Sequence, residues 1–411
     1  MSSARLWAIV RSAGLRPVAV VVVAMATSTM AHADTLHVPF PFATVQSAID
    51  AADDGDEVLV FPGVYPESIR LYGKAITVRG ALGAAVTVID GVGESGSVVS
   101  CIDGEGDDTV LADLTICRGD ATLGGGLHNS FTSPTVLRCV FTDNHASENG
   151  GAVYNQLGSP RFVDCVFRGN DANVFGGGIY NLGSAPDIIN CVFTANQAGA
   201  GGGVNSLLGA PRILNCTFSG NEAFFAGAVR SSSNGSETHT TLRNCIIWAN
   251  ASGDGTEVLA LAGAIIAIDY SIVAGGWPGA GNRDEDPAFA GTGPHPYRPG
   301  PGSPAIDAGD NTAVPADIER DLLGQPRFVD DAGTDDTGAG GWPVVDMGAY
   351  ERLDSTACVG DLDGDGEVGL PDLVMVLTFW GPCDDCPADI DGNGFVDLGD
   401  LALVLVGWGS C

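Results

Sequence analysis

The chain has 411 residues, with 18 Lys plus Arg against 51 Asp plus Glu and a formal net charge of −33. A polyanion of this strength repels phosphate backbones and anionic headgroups, which excludes nucleic-acid binding and electrostatic membrane docking and leaves cations, neutral surfaces or basic proteins as partners. Hydrophobic residues make up 45% of the chain and glycines number 59, about twice the usual share, so this is a folded chain with a periodic backbone requirement and not an acidic disordered tail.

Residues 1–33 read as a signal peptide. Arg5, Arg11 and Arg16 precede the apolar run from Val18 to Met25, and Ala31-His32-Ala33 offers a small-residue cleavage site. The run falls short of the ~20 residues that a bilayer span needs, and no later segment is long and apolar enough to span. Cleavage removes three arginines and no acid, taking the charge from −33 to −36. The mature chain is expected outside the cell, at its surface or in a periplasm, where disulfides form.

Residues 34–351 are expected to form the main domain. From Thr44 to Ala52, the residues Val45, Ala48, Ile49 and Ala52 share one helical face. A short helix there would cover the first coil and protect an open strand edge. Strands are predicted at Glu57–Phe61 and Ala75–Val78, so residues 34–60 hold the cap and first strand. The clearest repeats span 124–250. Cysteines recur at Cys139, Cys165, Cys191, Cys216 and Cys245, in steps of 26, 26, 25 and 29. Phe141, Phe167, Phe193 and Phe218 follow two places later, with Ile247 in the last copy. Asn144, Asn170, Asn196, Asn221 and Asn250 come three places after those. Glycine runs beginning at Gly124, Gly176 and Gly201, the pair Gly150-Gly151 and the weaker Ala226-Gly227-Ala228 mark another corner.

Self-similarity at this period means stacked repeats. Each repeat lacks a helical pattern but alternates, with Leu137, Cys139 and Phe141 assigned to one face and Val163, Cys165 and Phe167 one turn later. Three short strands to a coil of about 25 residues describe an all-β, right-handed parallel β-helix. Leu or Val, Cys and Phe would stack inside in columns, the cysteines as free buried thiols. The Asn column would hydrogen-bond from coil to coil, and the glycines would serve as turns, since no Lys-bearing strand-to-helix phosphate loop follows them.

The opening, Val45 to Asp50 and Gly55 to Tyr65, resembles that of bacterial proteins with a pectin-lyase-like fold. The repeats look like those of secreted bacterial β-helix proteins and are similar to those of chlamydial polymorphic outer-membrane proteins. Residues 282–351, with Asp286-Pro287-Ala288-Phe289, Ser303 to Asp310 and Asp346 to Glu351, resemble the closing segment that such proteins carry before a variable carboxy-terminal module. The fold so implied hosts lyases, hydrolases, adhesins and inert stalks.

Residues 354–411 form a duplicated module in which every counterpart lies 28 residues away: Cys358/Cys386, Asp361/Asp389, Asp372/Asp400, Trp380/Trp408 and Cys383/Cys411. The first half places Asp361, Asp363, Asp365 and Asp372 at positions 1, 3, 5 and 12 of a loop, with Gly366 at position 6 and Glu367 at 7. The second places Asp389, Asp391, Asn393 and Asp400 likewise, with Phe395 at 7 and Asp397 at 9. Calcium takes hard oxygens, position 7 gives a backbone carbonyl and the glycine permits the sharp turn, so two Ca²⁺ ions are expected. Leu373, Val376, Leu377 and Trp380 fall at helical spacing, as do Leu401, Val404, Leu405 and Trp408, and two such stripes would pack face to face. Of the three pairings open to Cys358, Cys383, Cys386 and Cys411, the internal symmetry favours Cys358–Cys383 with Cys386–Cys411. The pattern resembles a type I dockerin, which implies a cohesin-like or other surface protein as partner. It departs from that family at loop positions 10 and 11, Leu370-Pro371 and Leu398-Gly399, where partner-reading residues usually stand.

Two functions fit. One is a non-catalytic secreted or cell-surface β-helix protein that binds extracellular polysaccharide or protein. The other is a dockerin-bearing polysaccharide lyase or glycoside hydrolase active in polysaccharide catabolism. No catalytic residue is assigned: the Arg-His-Gly phrase of polygalacturonase-like hydrolases and the Arg-x-Pro-x-x-Arg phrase of pectate lyases are both absent, and none of the six His has a partner in sequence. Asp103, Glu105, Asp107, Asp108 and Asp113, with the recurring Arg138, Arg161, Arg168 and Arg212, are read as solvated surface.

Overall fold

Chain reversals every 25 or 26 residues lay each segment beside its own copy, and the computed structural model shows the resulting parallel β-helix. It describes residues 33–411 except 94, 236–237, 292–294, 353–359, 364–366, 384–385, 391–393, 407 and 411. The expected signal peptide, apart from Ala33, lies outside the described residues. A representative coil runs Thr135–Leu137, Val140–Thr142, His145–Asn149 and Val153–Gln156. These four strands enter four parallel sheets of ten, nine, six and eight strands, called here the first to fourth in coil order. Register is strict: Phe141 faces Phe167, which faces Phe193, which faces Phe218.

The coil therefore has four strands, not three. The additional one, His145–Asn149 and its equivalents, lies between the Asn turn and the glycine corner, where polar composition hid it. The alternation reading also needs correction. Val136, Phe162, Ile188, Ile213 and Leu242 point into the core, while Leu137, Val163, Ile189 and Leu214 belong to a separate cluster outside the wall. Between the first and second sheets, Arg138, Asp164, Asn190, Asn215 and Asn244 adopt left-handed backbone with φ of 49, 54, 52, 49 and 53°. One such residue turns the chain and shifts the in-out phase by one place, so the period-2 count fails across the corner.

Inside, like stacks on like. The buried rings of Phe141, Phe167, Phe193 and Phe218 are parallel within 7°, with successive centroids 5.1, 4.5 and 4.6 Å apart. Cys139, Cys165, Cys191, Cys216 and Cys245 are buried free thiols, as expected. The Asn ladder forms as read: Nδ2 of Asn144, Asn170, Asn196 and Asn221 each donates to Oδ1 of the next Asn, at 3.0, 2.9, 2.8 and 2.7 Å. Sequence reading missed two further ladders. Asn129, Asn155, Asn181 and Ser206 form one in the fourth sheet, and Asp164, Asn190, Asn215 and Asn244 form another at the left-handed corner. At the middle position of the glycine corner a side chain cannot fit: a Cβ on Gly151 would meet the Gly177 carbonyl oxygen at 2.4 Å.

The amino-terminal helix, Val45–Ala51, is capped by Thr44 and Ser47 in a reciprocal box and buries Val45, Ala48 and Ile49 over the first coil. Strands at Glu57–Val60 and Thr77–Gly80 match the predicted ones within two residues. The closing segment is an irregular arm along the outside of the first and second sheets. Val314 and Ile318 pack on Val163, Ile189 and Leu214, and Ala349 and Tyr350 pack on Val192. Ala305, Ala308 and Met347 meet Ile246 and Ile272. Its backbone is tied down by Asn190 Nδ2 to the Arg320 carbonyl at 2.8 Å and by the Asp310 N–H to Asn244 Oδ1 at 2.7 Å. The wall of the solenoid is thus buried on both sides here, which is why its outward residues are apolar.

Asn196 is the sharpest test of the ladder. Its amide takes the Asn170 N–H and Nδ2 and donates to Asn221 Oδ1 and the Phe167 carbonyl. Asn196→Ala leaves these groups buried without partners, at about 1–3 kcal/mol each before relaxation, so a loss of about 3–5 kcal/mol is expected in denaturant unfolding. The exposed Asn173→Ala change should stay within about 0.5 kcal/mol. Equal effects from the two would contradict the ladder.

Candidate functional site

The outer face of the first sheet reads Thr135, Arg161, Asp187, Arg212, Thr241 across five coils in register. Residues of this row line a shallow groove of about 420 Å³ together with Asp107, Ser133, Ser159 and Ala185. The groove is polar and crosses neighbouring coils, the geometry of a strip that could follow an extended sugar chain. Its arginines are engaged. Arg212 Nε lies 3.3 Å from Asp187 Oδ1, and Arg161 Nη2 lies 2.5 Å from Asp317 Oδ2 on the arm. Arg138 makes a two-pronged contact with Asp113 at 2.7 and 2.8 Å, and that hydrogen bond pushes its guanidinium pKa further up.

Several acids taken as solvated surface are structural. Arg70 clamps Asp103 with two bonds of 2.6 Å, which lowers that carboxyl, while Glu105 is buried and accepts the N–H groups of Gly73 and Asp103. Histidine, too, has a partner that sequence reading missed: His145 Nδ1 lies 2.9 Å from Asp171 Oδ2. The signal was available, since 145 and 171 differ by the repeat step of 26. Asp187 and Arg212 likewise differ by 25.

In the C-terminal module, one carboxylate oxygen from each of Asp361, Asp363 and Asp372 lies within 4.8 Å of the others, so loop positions 1, 3 and 12 converge. Asp372 also clamps its loop, accepting from Leu362, Asp363 and Gly369 at 2.6, 3.1 and 2.7 Å. Asp400 repeats this with Ile390 and Asp397 at 2.7 and 2.9 Å, and Asp389 Oδ2 accepts the Gly394 N–H at 2.8 Å. Asp365, Asp391 and Asn393 lie outside the described residues. Glu367 and Phe395, the residues at position 7, begin short strands, and Asp397 accepts the Gly399 N–H at 2.7 Å where the second helix starts.

The helices are Leu370–Thr378 and Leu398–Val406. Glu367–Val368 pairs antiparallel with Gly409–Ser410, and Phe395–Val396 pairs with Gly381–Pro382, so each loop joins the segment that follows the other helix. Adding 28 to one half reproduces the other, the mark of a pseudo-twofold. The helical stripes pack only in part. Val376 and Val404 are buried with Leu373 and Leu401 against them, whereas Leu377, Trp380, Leu405 and Trp408 are each about half exposed. The disulfide expectation is overturned where it is visible: Cys383 bonds Cys386, with Cα atoms 5.9 Å apart across a three-residue step. This bond uses both cysteines and leaves neither for the symmetric pairing. Cys358 and Cys411 lie outside the described residues.

Residues 138–156 match the Chlamydia polymorphic membrane protein repeat. The chain has a parallel β-helix fold. Among solved structures it is similar to pectin methylesterase from carrot, at 12% identity over 61% of this chain and 82% of that one with a TM-score of 0.35. It is also similar to the pectate lyase Pel9A, at 17% identity over 75% and 90% with a TM-score of 0.38. A pectin methylesterase in complex with a hexasaccharide gives 13%, 60%, 90% and 0.34 in the same order. No curated protein matches the chain.

The arm concentrates buried acid. Burial raises Asp307 and Asp346 to about 7 and lifts Glu351 well above the usual carboxylate range. Under the arm, burial raises Asp164 to about 6, against a hydrogen bond from Asn190 that lowers it. A carboxyl whose folded value exceeds its unfolded one stabilises the fold fully below pH ~4 and loses that contribution as pH rises through ~6, by at most about 3 kcal/mol. Asp164→Asn, which keeps a residue tolerant of left-handed backbone, should match the wild type in melting temperature near pH 4 and exceed it at pH 7.5. A difference between the two that does not change with pH would contradict this.

Proposed function

We propose that the chain is a secreted or cell-surface β-helix protein that binds extracellular polysaccharide without cleaving it, through the groove of the first sheet, and that its C-terminal module is a calcium-stabilised, dockerin-like docking unit. The observation that carries the non-catalytic reading is the pairing of three of the four recurring arginines. β-Elimination needs a side chain free to take a proton from the sugar, and Arg138, Arg161 and Arg212 each face a carboxylate instead, that of Asp113, Asp317 and Asp187. Ser and Thr hydroxyls beside paired charges suit neutral or mixed sugars, whereas the overall anionic surface disfavours a polyuronate unless calcium bridges the two.

The convergence of Asp361, Asp363 and Asp372 supports the calcium reading of the module, and its exposed apolar residues, among them Leu377, Trp380, Leu405 and Trp408, supply a surface for a cohesin-like or other protein partner. When bound, the two ions would offset carboxylates that otherwise repel at close range. The second reading, a dockerin-bearing lyase or glycoside hydrolase, is favoured by one observation: the groove does bring Asp107, Asp187 and Arg161 together.

A retention and product screen of the mature chain on plant and algal polysaccharides separates the two. The proposal expects retention on at least one polymer, about tenfold weaker in Arg161→Ala, with neither reducing-end nor unsaturated products. Catalytic turnover of any polymer would overturn it in favour of the enzyme. For the module, millimolar calcium added to chelator-treated protein should protect residues 354–411 from proteolysis. Unchanged cleavage there would exclude calcium as its stabiliser.

A further inference from the structure

A second group of carboxylates converges inside the arm, remote in sequence from the C-terminal loops. One oxygen from each of Asp307, Asp330 and Asp336 lies within 4.8 Å of the others. Three anions at that spacing repel one another, most strongly where water is excluded. Asp307 supplies an independent observation. Its side chain is fully buried, its Oδ1 has no hydrogen-bond partner, and its Oδ2 accepts the Asp331 N–H at 3.3 Å. An unsatisfied buried carboxylate oxygen carries a full desolvation penalty, and such atoms in native folds mark the place of an ion or a water.

One guanidinium, that of Arg283, reaches the turn and donates to the Thr337 hydroxyl, and others are committed elsewhere. Arg352 Nε is 2.8 Å from Asp331 Oδ2, and Arg327 donates to the carbonyls of Asp346 and Gly348 and lies 3.7 Å from Glu351. The backbone meanwhile forces the three acids together. Asp307 sits at φ +50°, its carbonyl accepts the N–H groups of Thr337 and Gly338 at 2.9 and 3.2 Å, and its own N–H donates to Asp346 Oδ1 at 2.8 Å. These bonds fold the 330–338 turn back over Asp307. Asp330 is oriented by Trp342, whose Nε1 donates to Oδ1 at 3.2 Å.

We infer that Asp307, Asp330 and Asp336 bind a calcium ion that pins the 330–338 turn to the flank of the solenoid. The donors are all carboxylate oxygens, which selects a hard cation. One ligand is buried, one half-buried and one exposed, so the outer side is open to the waters that complete six to eight oxygens. The site depends neither on the C-terminal module nor on the activity proposed above.

Calcium bound per chain, measured by equilibrium dialysis of the mature protein after chelation, tests this. The wild type should hold one ion more than the rim variant carrying Asp330→Asn and Asp336→Asn. Asp307→Asn should lose the same ion, while Asp361→Asn with Asp389→Asn, in the C-terminal loops, should leave it in place. Equal calcium content in the wild type and the rim variant would overturn the site. Terbium gives a readout that needs no disabled ligand, since Trp342 stands beside the ion and sensitises its emission. Trp342→Phe should remove that share of the luminescence without lowering calcium content, and emission unchanged by Trp342→Phe would count equally against the site.

Discussion

The in-register parallel stack is the constraint on which everything else rests. Most buried columns of the solenoid place like on like one coil away, so residues that complement themselves are favoured in them. Phenylalanine does so by stacking, small thiols by filling space, and asparagine because its amide carries a donor and an acceptor at opposite ends. Charged residues cannot follow this rule, and outside the wall they alternate instead, Arg161 above Asp187 above Arg212.

That rule also sets what was legible in the sequence. Columns that obey it, Cys139 to Cys245, Phe141 to Phe218 and Asn144 to Asn250, announce themselves by recurrence, and the amino-terminal helix is written in its cap and apolar face. The in-out phase was not legible across the Arg138 corner, because left-handed backbone at non-glycine residues leaves little trace in composition. Nor was the arm, whose contacts with Val163, Ile189 and Leu214 join residues more than a hundred positions apart and repeat nothing. Val163 looked like an interior residue because it is apolar; it is apolar because Ile318 covers it from outside.

The candidate sites divide in the same way. In the C-terminal module the convergence of Asp361, Asp363 and Asp372 follows from their spacing within a dozen positions, whereas the Cys383–Cys386 bond is not implied by the 28-residue symmetry. The first-sheet groove was readable only by adding the coil step to each charged residue. The acids of the arm follow no spacing rule: Asp307 and Asp336 meet because the arm doubles back on itself. The chain's negative charge therefore has three homes with different physics: ion-paired on the solenoid wall, clustered in the loops, and buried in the arm.

The central structural claim is that coils and arm share one cooperative core, with the wall buried on both faces. Native-state hydrogen exchange of residues 34–411 measures this directly. The account predicts that the buried amides of 303–309 and 344–351 in the arm exchange as slowly as those of the coils between 135 and 250. Rapid exchange throughout the arm beside slow exchange in the coils would contradict it.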